Sequence, residues 1–125
     1  MVLFSFEVFS LVLEVVRERE LEKLEKLLSE HRVAVVLFTA EWCPPCRYFK
    51  PVFETLAEKS GLLFIEVYVP ARFDKNSTVV KALEWGVQAV PTTLIVVNNT
   101  VRDMHVGYMD LATLENWIRG IVGRC

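Results

Sequence analysis

Only three cysteines occur in the 125-residue chain, Cys43, Cys46 and Cys125. Three are too few to staple a small fold, so the close pair reads as chemistry rather than scaffold. No cluster of lysine or arginine is present and the formal net charge is −2, which argues against a nucleic-acid face. Glutamine is almost missing, with Gln88 alone, while Glu, Lys and Arg are plentiful, a composition that hints at a heat-adapted source. There is no internal repeat, linker or low-complexity tract. The apolar opening Met1 to Val16 lacks a basic n-region and a small-residue cleavage site, and Glu7 and Glu14 interrupt it. It is also short for a membrane span, which needs about 20 apolar residues. A first strand, about Val2 to Val8, feeding a helix is expected instead.

What is present is a globular composition, 53% hydrophobic and 24% charged, at a length that suits one domain over residues 1–125 with a real core. A strand and a long helix are expected within 1–30, and the main body within 33–122. The stretch that organises it is Thr39-Ala40-Glu41-Trp42-Cys43-Pro44-Pro45-Cys46-Arg47. Before it, Val33 to Phe38 has the length and β-branched content of a buried strand. After it, Phe49, Val52, Phe53, Leu56 and Ala57 recur at helical spacing. The cysteines therefore fall at a strand-to-helix junction, with Cys43 near the N-cap and Pro44 and Pro45 in the first turn, where missing N–H groups do no harm. The helix dipole and a free N–H, that of Cys46, favour a thiolate at Cys43. Cys43 is then the nucleophile, and Cys46, one turn on, resolves the mixed disulfide. Two prolines leave the thiolate fewer donors, which tunes the redox poise.

Along the rest of the chain, Ser10 can cap a helix running to about Glu30, with Leu13, Val16, Leu24, Leu27 and Leu28 near one face. The active-site helix runs to about Lys59, and Pro51 predicts a kink within it. Leu62 to Val69 reads as a buried strand and Pro70 to Ser77 as a polar loop. Thr78 can cap a short helix ending near Gly86. Thr92 to Val97 and Val101 to Val106, joined through Asn98-Asn99, form an expected antiparallel hairpin. Asp110 caps a last helix bearing Leu111, Leu114, Trp117, Ile118 and Ile121. The order β-α-β-α-β-α-β-β-α gives an α/β fold, a central mixed sheet with helices on both faces.

The run Phe38 to Arg47, with Pro51 following, resembles the active-site segment of the thioredoxin family. Ala89-Val90-Pro91-Thr92 resembles the family's cis-proline loop, and Gly107 sits where the family has a late strand glycine. The resemblance covers roughly Val33 to Val122, and the two motifs are specific in combination. It implies the thioredoxin fold and a Cys43/Cys46 cycle that reduces protein disulfides without a bound cofactor. It also implies recharging by an NADPH-dependent thioredoxin reductase. A cis Val90–Pro91 bond would set that loop against Cys43 and free the Val90 backbone to pair with an extended substrate. Trp42, Pro44, Pro45, Val90, Thr92 and Gly107 are the expected substrate contacts. Three departures stand out: Pro-Pro replaces the usual Gly-Pro, Leu37 replaces the family's buried aspartate, and Pro70 to Thr78 is longer than usual.

Glu66 is the polar exception in its strand. Charged residues are seldom buried unpaired, so a solvent-facing strand end is the favoured placement. The sharper alternative is a carboxylate near Cys46 that replaces the acid lost at Leu37 and accepts a proton. Cys125 is expected to be inert, and His31 and His105 structural. Without an export signal, a cytoplasmic reductase is preferred. The alternatives are an oxidase or isomerase in an oxidising compartment, or a binding or metal-bridged module that does not turn over.

Overall fold

The computed structural model describes residues 13–123. The strand expected at Val2 to Val8, the Ser10 cap and Cys125 lie outside that range. Within it, the chain runs β1 (Leu13–Val16), α1 (Leu21–Glu30), β2 (Val33–Thr39), α2 (Pro44–Ser60), β3 (Leu63–Tyr68), α3 (Val79–Glu84), β4 (Thr92–Val97), β5 (Thr100–Val106) and α4 (Leu111–Val122). The strands form one sheet in the order β1-β3-β2-β4-β5. β1 and β2 each run parallel to β3, while β4 is antiparallel to β2 and to β5. The element order matches the expectation, although the N-terminal boundaries do not.

The long helix from Ser10 is a correction. Leu13 to Val16 is instead a strand paired to β3, and the helix begins only at Leu21. Leu13 and Val16 lie three apart, a spacing that suits a helix face as well as a strand. The adjacent β-branched pair Val15-Val16 and the open edge of β3 decide for the strand. A turn then intervenes, in which Arg17 N donates to Glu20 Oε1 at 2.8 Å.

The sheet divides the core into two layers. On one face Val36, Phe38, Ile65 and Val67 pack with Leu24 and Leu28 of α1 and Ala82 of α3. On the other, Val35, Leu37 and Phe64 pack with Phe49, Phe53 and Leu56 of α2 and with Leu114 and Ile118 of α4. Strand alternation produces this division, since successive side chains point to opposite faces. Each fully buried Phe or Leu contributes about 1.5–3 kcal/mol through loss of apolar surface to water.

Local chemistry sets the ends of the elements. α2 stops at Gly61, which takes the left-handed φ of 77° that a helix C-cap favours. It continues unbroken through Pro51. The hairpin turns through Asn98 and Asn99, both at positive φ (53° and 61°), as a two-residue turn matched to strand twist requires. Asp110 Oδ1 accepts from Thr113 N at 2.8 Å and starts α4. Thr78 does not cap α3 with its side chain; its hydroxyl donates to Tyr68 O at 2.6 Å and ties the long loop back to β3. Among the described residues, no helix is long and apolar enough to cross a membrane.

Candidate active site

Cys43 lies just beyond the C-terminal end of β2, with extended backbone angles (φ −110°, ψ 108°), and forms the N-cap of α2. Its Sγ accepts the N–H of Cys46 at 3.3 Å. Pro44 and Pro45 occupy the first turn, so Cys46 is the first residue after the cap with an N–H to offer. The two sulfurs are joined as a disulfide, with Cα atoms 5.4 Å apart. Cys43 is 4% and Cys46 2% exposed, so Cys46 is the deeper of the pair. Once the bond is reduced, a Cys43 thiolate keeps the same N–H donor at the positive end of the helix.

The second loop stands where the sequence puts it. The Val90–Pro91 bond is cis. Val90 O lies 3.6 Å from Cys43 Sγ. Gly107 N donates to Pro91 O at 2.8 Å, and Gly107 itself has a φ of +100°, a conformation that L side chains rarely adopt. Thr92 is fully buried and its hydroxyl donates to Ala89 O at 2.6 Å. That side chain is turned into the loop, which it ties together. Trp42 stands 54% exposed and lines, with Val90 and Pro70, a groove of about 240 Å³ on one side of Cys43. Pro44 and Pro45 line a separate groove on another side, with Tyr48 and Tyr108.

Glu66 is not at a solvent-facing strand end. It sits within β3 at 1% exposure, opposite Leu37 on β2 and Val15 on β1. Among the described residues neither carboxyl oxygen has a hydrogen-bond partner. Burial first, and then the Glu54 carboxyl, push its pKa up to about 8, with the Lys50 ammonium pulling against both. The acid is therefore mostly neutral at pH 7. Glu54 and Lys50 both come from α2, which covers this face of the sheet.

Lys50 and Tyr68 also line a cleft of about 270 Å³ that reaches Cys46. Arg17 and Glu41 close its outer wall as an ion pair, and the Arg17 guanidinium lies 4.1 Å over the Tyr68 ring. The Tyr68 hydroxyl raises the Lys50 pKa, so this amine stays charged. The sequence reading did not single out Lys50, Glu54, Tyr68, Tyr48 or Tyr108. Lys50 carried a usable signal, four residues beyond Cys46 and so on the same helix face. Among the described residues no group of three or more His, Cys, Asp or Glu side chains is placed to hold a metal.

What this corner of the molecule can do is open and reclose one S–S bond against a partner's sulfur, the work of a dithiol–disulfide oxidoreductase. Comparison with known proteins gives the same class. The Thioredoxin family model matches residues 14–120. Thioredoxin H4 of Arabidopsis thaliana is 39% identical over 87 residues, covering 68% of each chain. Thioredoxin H3 of the same plant is also 39% identical over 87 residues, covering 69% of each. A mutant thioredoxin from Halobacterium salinarum superposes with a TM-score of 0.70 at 27% identity, covering 86% of this chain and 90% of that one. The chain belongs to the thioredoxin family and is a protein-disulfide oxidoreductase.

Proposed function

We propose that Cys43 is the nucleophile and Cys46 the resolving thiol in the reduction of substrate-protein disulfides. The Cys46 N–H directed at Cys43 Sγ carries this assignment, because it favours negative charge on that sulfur. The Cys43 thiolate attacks one sulfur of the substrate disulfide, the S–S bond breaks, and the first substrate thiolate leaves. Cys46 loses its proton and attacks Cys43 Sγ in the mixed disulfide. The second substrate thiolate departs and the Cys43–Cys46 bond forms, so two electrons have passed to the substrate. An NADPH-dependent thioredoxin reductase returns them, and the cytoplasm is the matching compartment because it keeps thiols reduced. Trp42, Pro44, Pro45 and the backbones of Val90 and Gly107 contact the substrate chain. The carbonyl of Val90, 3.6 Å from the nucleophilic sulfur, is the acceptor that an extended segment would pair with.

The proton that Cys46 must lose is assigned to Glu66. Leu37 leaves β2 without an acid, and the buried carboxyl stands instead on the adjacent strand, directly opposite. Lys50 faces Glu66 and also lines, with Cys46, the cleft of about 270 Å³. Insulin turbidity driven by dithiothreitol tests the cycle. Wild type should accelerate precipitation, and Cys43→Ser should fall to the rate of dithiothreitol alone; equal rates for the two proteins would refute the assignment. For Glu66, the pH profile of substrate reduction should move in Glu66→Gln, and an unchanged profile rejects its role.

A further inference from the structure

Beside the nucleophile, on the flank away from Trp42, an open groove of about 540 Å³ is lined by Pro44, Pro45, Tyr48 and Tyr108. Tyr48 is 73% and Tyr108 53% exposed, an unusual investment of aromatic surface in water. Among the described residues, no charged side chain lines the groove. It is also continuous with the redox centre at both ends. Pro44 directly follows Cys43, and Tyr48 is one helical turn beyond Pro44 on the same face. Tyr108 follows Gly107, whose N–H is bonded to the cis-proline carbonyl. Its ring also packs edge-on against buried Phe49, with centroids 5.9 Å apart. Tyr108 is thus held in place, and Tyr48 stands free opposite it.

From this we infer that the groove is a specificity subsite for an aromatic or large aliphatic side chain of the disulfide-bearing partner, near its reacting cysteine. The inference deepens the proposed redox cycle and depends on it. In an extended segment whose cysteine faces Cys43, the side chain two residues away points to the same surface, roughly 6.6 Å along. That is the reach from Cys43 into a groove that begins at the next residue. An apolar lining rewards a side chain that leaves water and rejects a charged one that would lose its solvation. Size also fits: the volume is in the range of pockets that bury a sizeable apolar group.

The test uses peptide disulfides that differ only at the positions two residues before and two residues after the reacting cysteine, carrying Phe, Gly or Asp there. Wild type should reduce the Phe peptide of one series about tenfold better in kcat/KM than its Gly counterpart, as partial burial of a ring implies. The Asp peptide should be no better than Gly. Tyr48→Ser should pull the Phe-to-Gly ratio toward one, and Tyr48→Phe should keep it; melting curves of both variants check that the exposed helix face still folds. A Phe-to-Gly ratio near one in wild type, with the Gly peptide and a small aromatic disulfide still reduced, overturns the subsite and leaves the redox cycle standing. Failure of wild type to reduce any of them overturns both. A concentration-dependent dimer in sedimentation, lost in Tyr48→Ser, would make a second copy of this chain the occupant and also overturn the assignment.

Discussion

Glu66→Gln should change how stability depends on pH, and the size of the change follows from the burial of one carboxyl. In the folded protein this acid holds its proton up to about pH 8, against an ordinary value of 4.5. A raised carboxyl pKa means that the folded state binds more protons than the unfolded state between those two values. Stability must therefore fall as pH rises through the window, and the fall ends above the folded pKa. At about 1.4 kcal/mol per pH unit, with the slope levelling off near each end of the window, the loss between pH 5 and pH 8 has an upper bound of about 4 kcal/mol. Glutamine has nearly the same shape and no proton to lose, so it removes the slope. Guanidinium unfolding of the oxidised protein at pH 5, 6, 7 and 8 reads this directly, because the closed disulfide keeps both cysteines from titrating. The variant should gain on wild type steadily with pH, by up to about 4 kcal/mol, or roughly 15 °C in melting temperature. The groups facing Glu66 sharpen the test. Glu54 raises its pKa and Lys50 lowers it, so Lys50→Met should carry the fall to higher pH and Glu54→Gln should end it at lower pH. Parallel stability curves for wild type and Glu66→Gln would refute the account, since they would mean that this carboxyl ionises alike in both states.

Two further outcomes follow from packing and capping. Phe53→Ala should cost about 3–5 kcal/mol, read as a lower guanidinium midpoint at unchanged slope, because the ring is fully buried against Phe64 at a centroid distance of 4.9 Å. Asp110→Ala removes the bond to Thr113 N and should lower the melting temperature by roughly 4 °C. Hydrogen bonds from the Thr113 side chain and then its backbone hold the Asp110 pKa down, so the wild-type advantage is present above the unfolded carboxyl pKa and is lost as pH falls through the depressed value.

Much of the site was legible because its signals are local. A β-branched run, an N-cap position, two prolines and a helical stripe place Cys43 and Cys46 within a dozen residues, and each signal has a steric or hydrogen-bonding cause. Asn98-Asn99 announced the hairpin in the same way. What escaped depends on neighbours distant in sequence. Leu13 to Val16 is a strand only because β3 offers an open edge, which no window around those residues reveals. Glu66 was placed in solvent by the general behaviour of carboxylates, yet β1 and β2 enclose it from both sides and α2 lies over it. Tyr48 and Tyr108 face a common groove from a helix surface and a loop sixty residues apart, so neither looked more than incidental in the sequence.

The exchange between Leu37 and Glu66 bears on how such a site can vary without losing its chemistry. Directly paired residues on neighbouring strands share a face, so an acid moved from one to the other stays in the same layer, beneath the same helix. Leu37 then completes the apolar layer around Phe49 and Phe53, while among the described residues Glu66 is left without a hydrogen-bond partner. An unpaired carboxylate in that layer would be strongly unfavourable, so the group is held protonated until something removes the need. Among the described residues, Lys50 is the opposing charge that faces it, and Lys50 also borders the cleft at Cys46. A proton arriving from Cys46 would require Glu66 to be ionised first, and the fraction ionised at neutral pH is small but rises steeply toward pH 8. The resolving step should therefore quicken between pH 6 and pH 8 in wild type by up to about tenfold per pH unit. In Glu66→Gln, stopped-flow decay of the mixed disulfide should be slower than in wild type, by a margin that widens toward pH 8. Equal rates in the two proteins at every pH would mean that the proton leaves without Glu66.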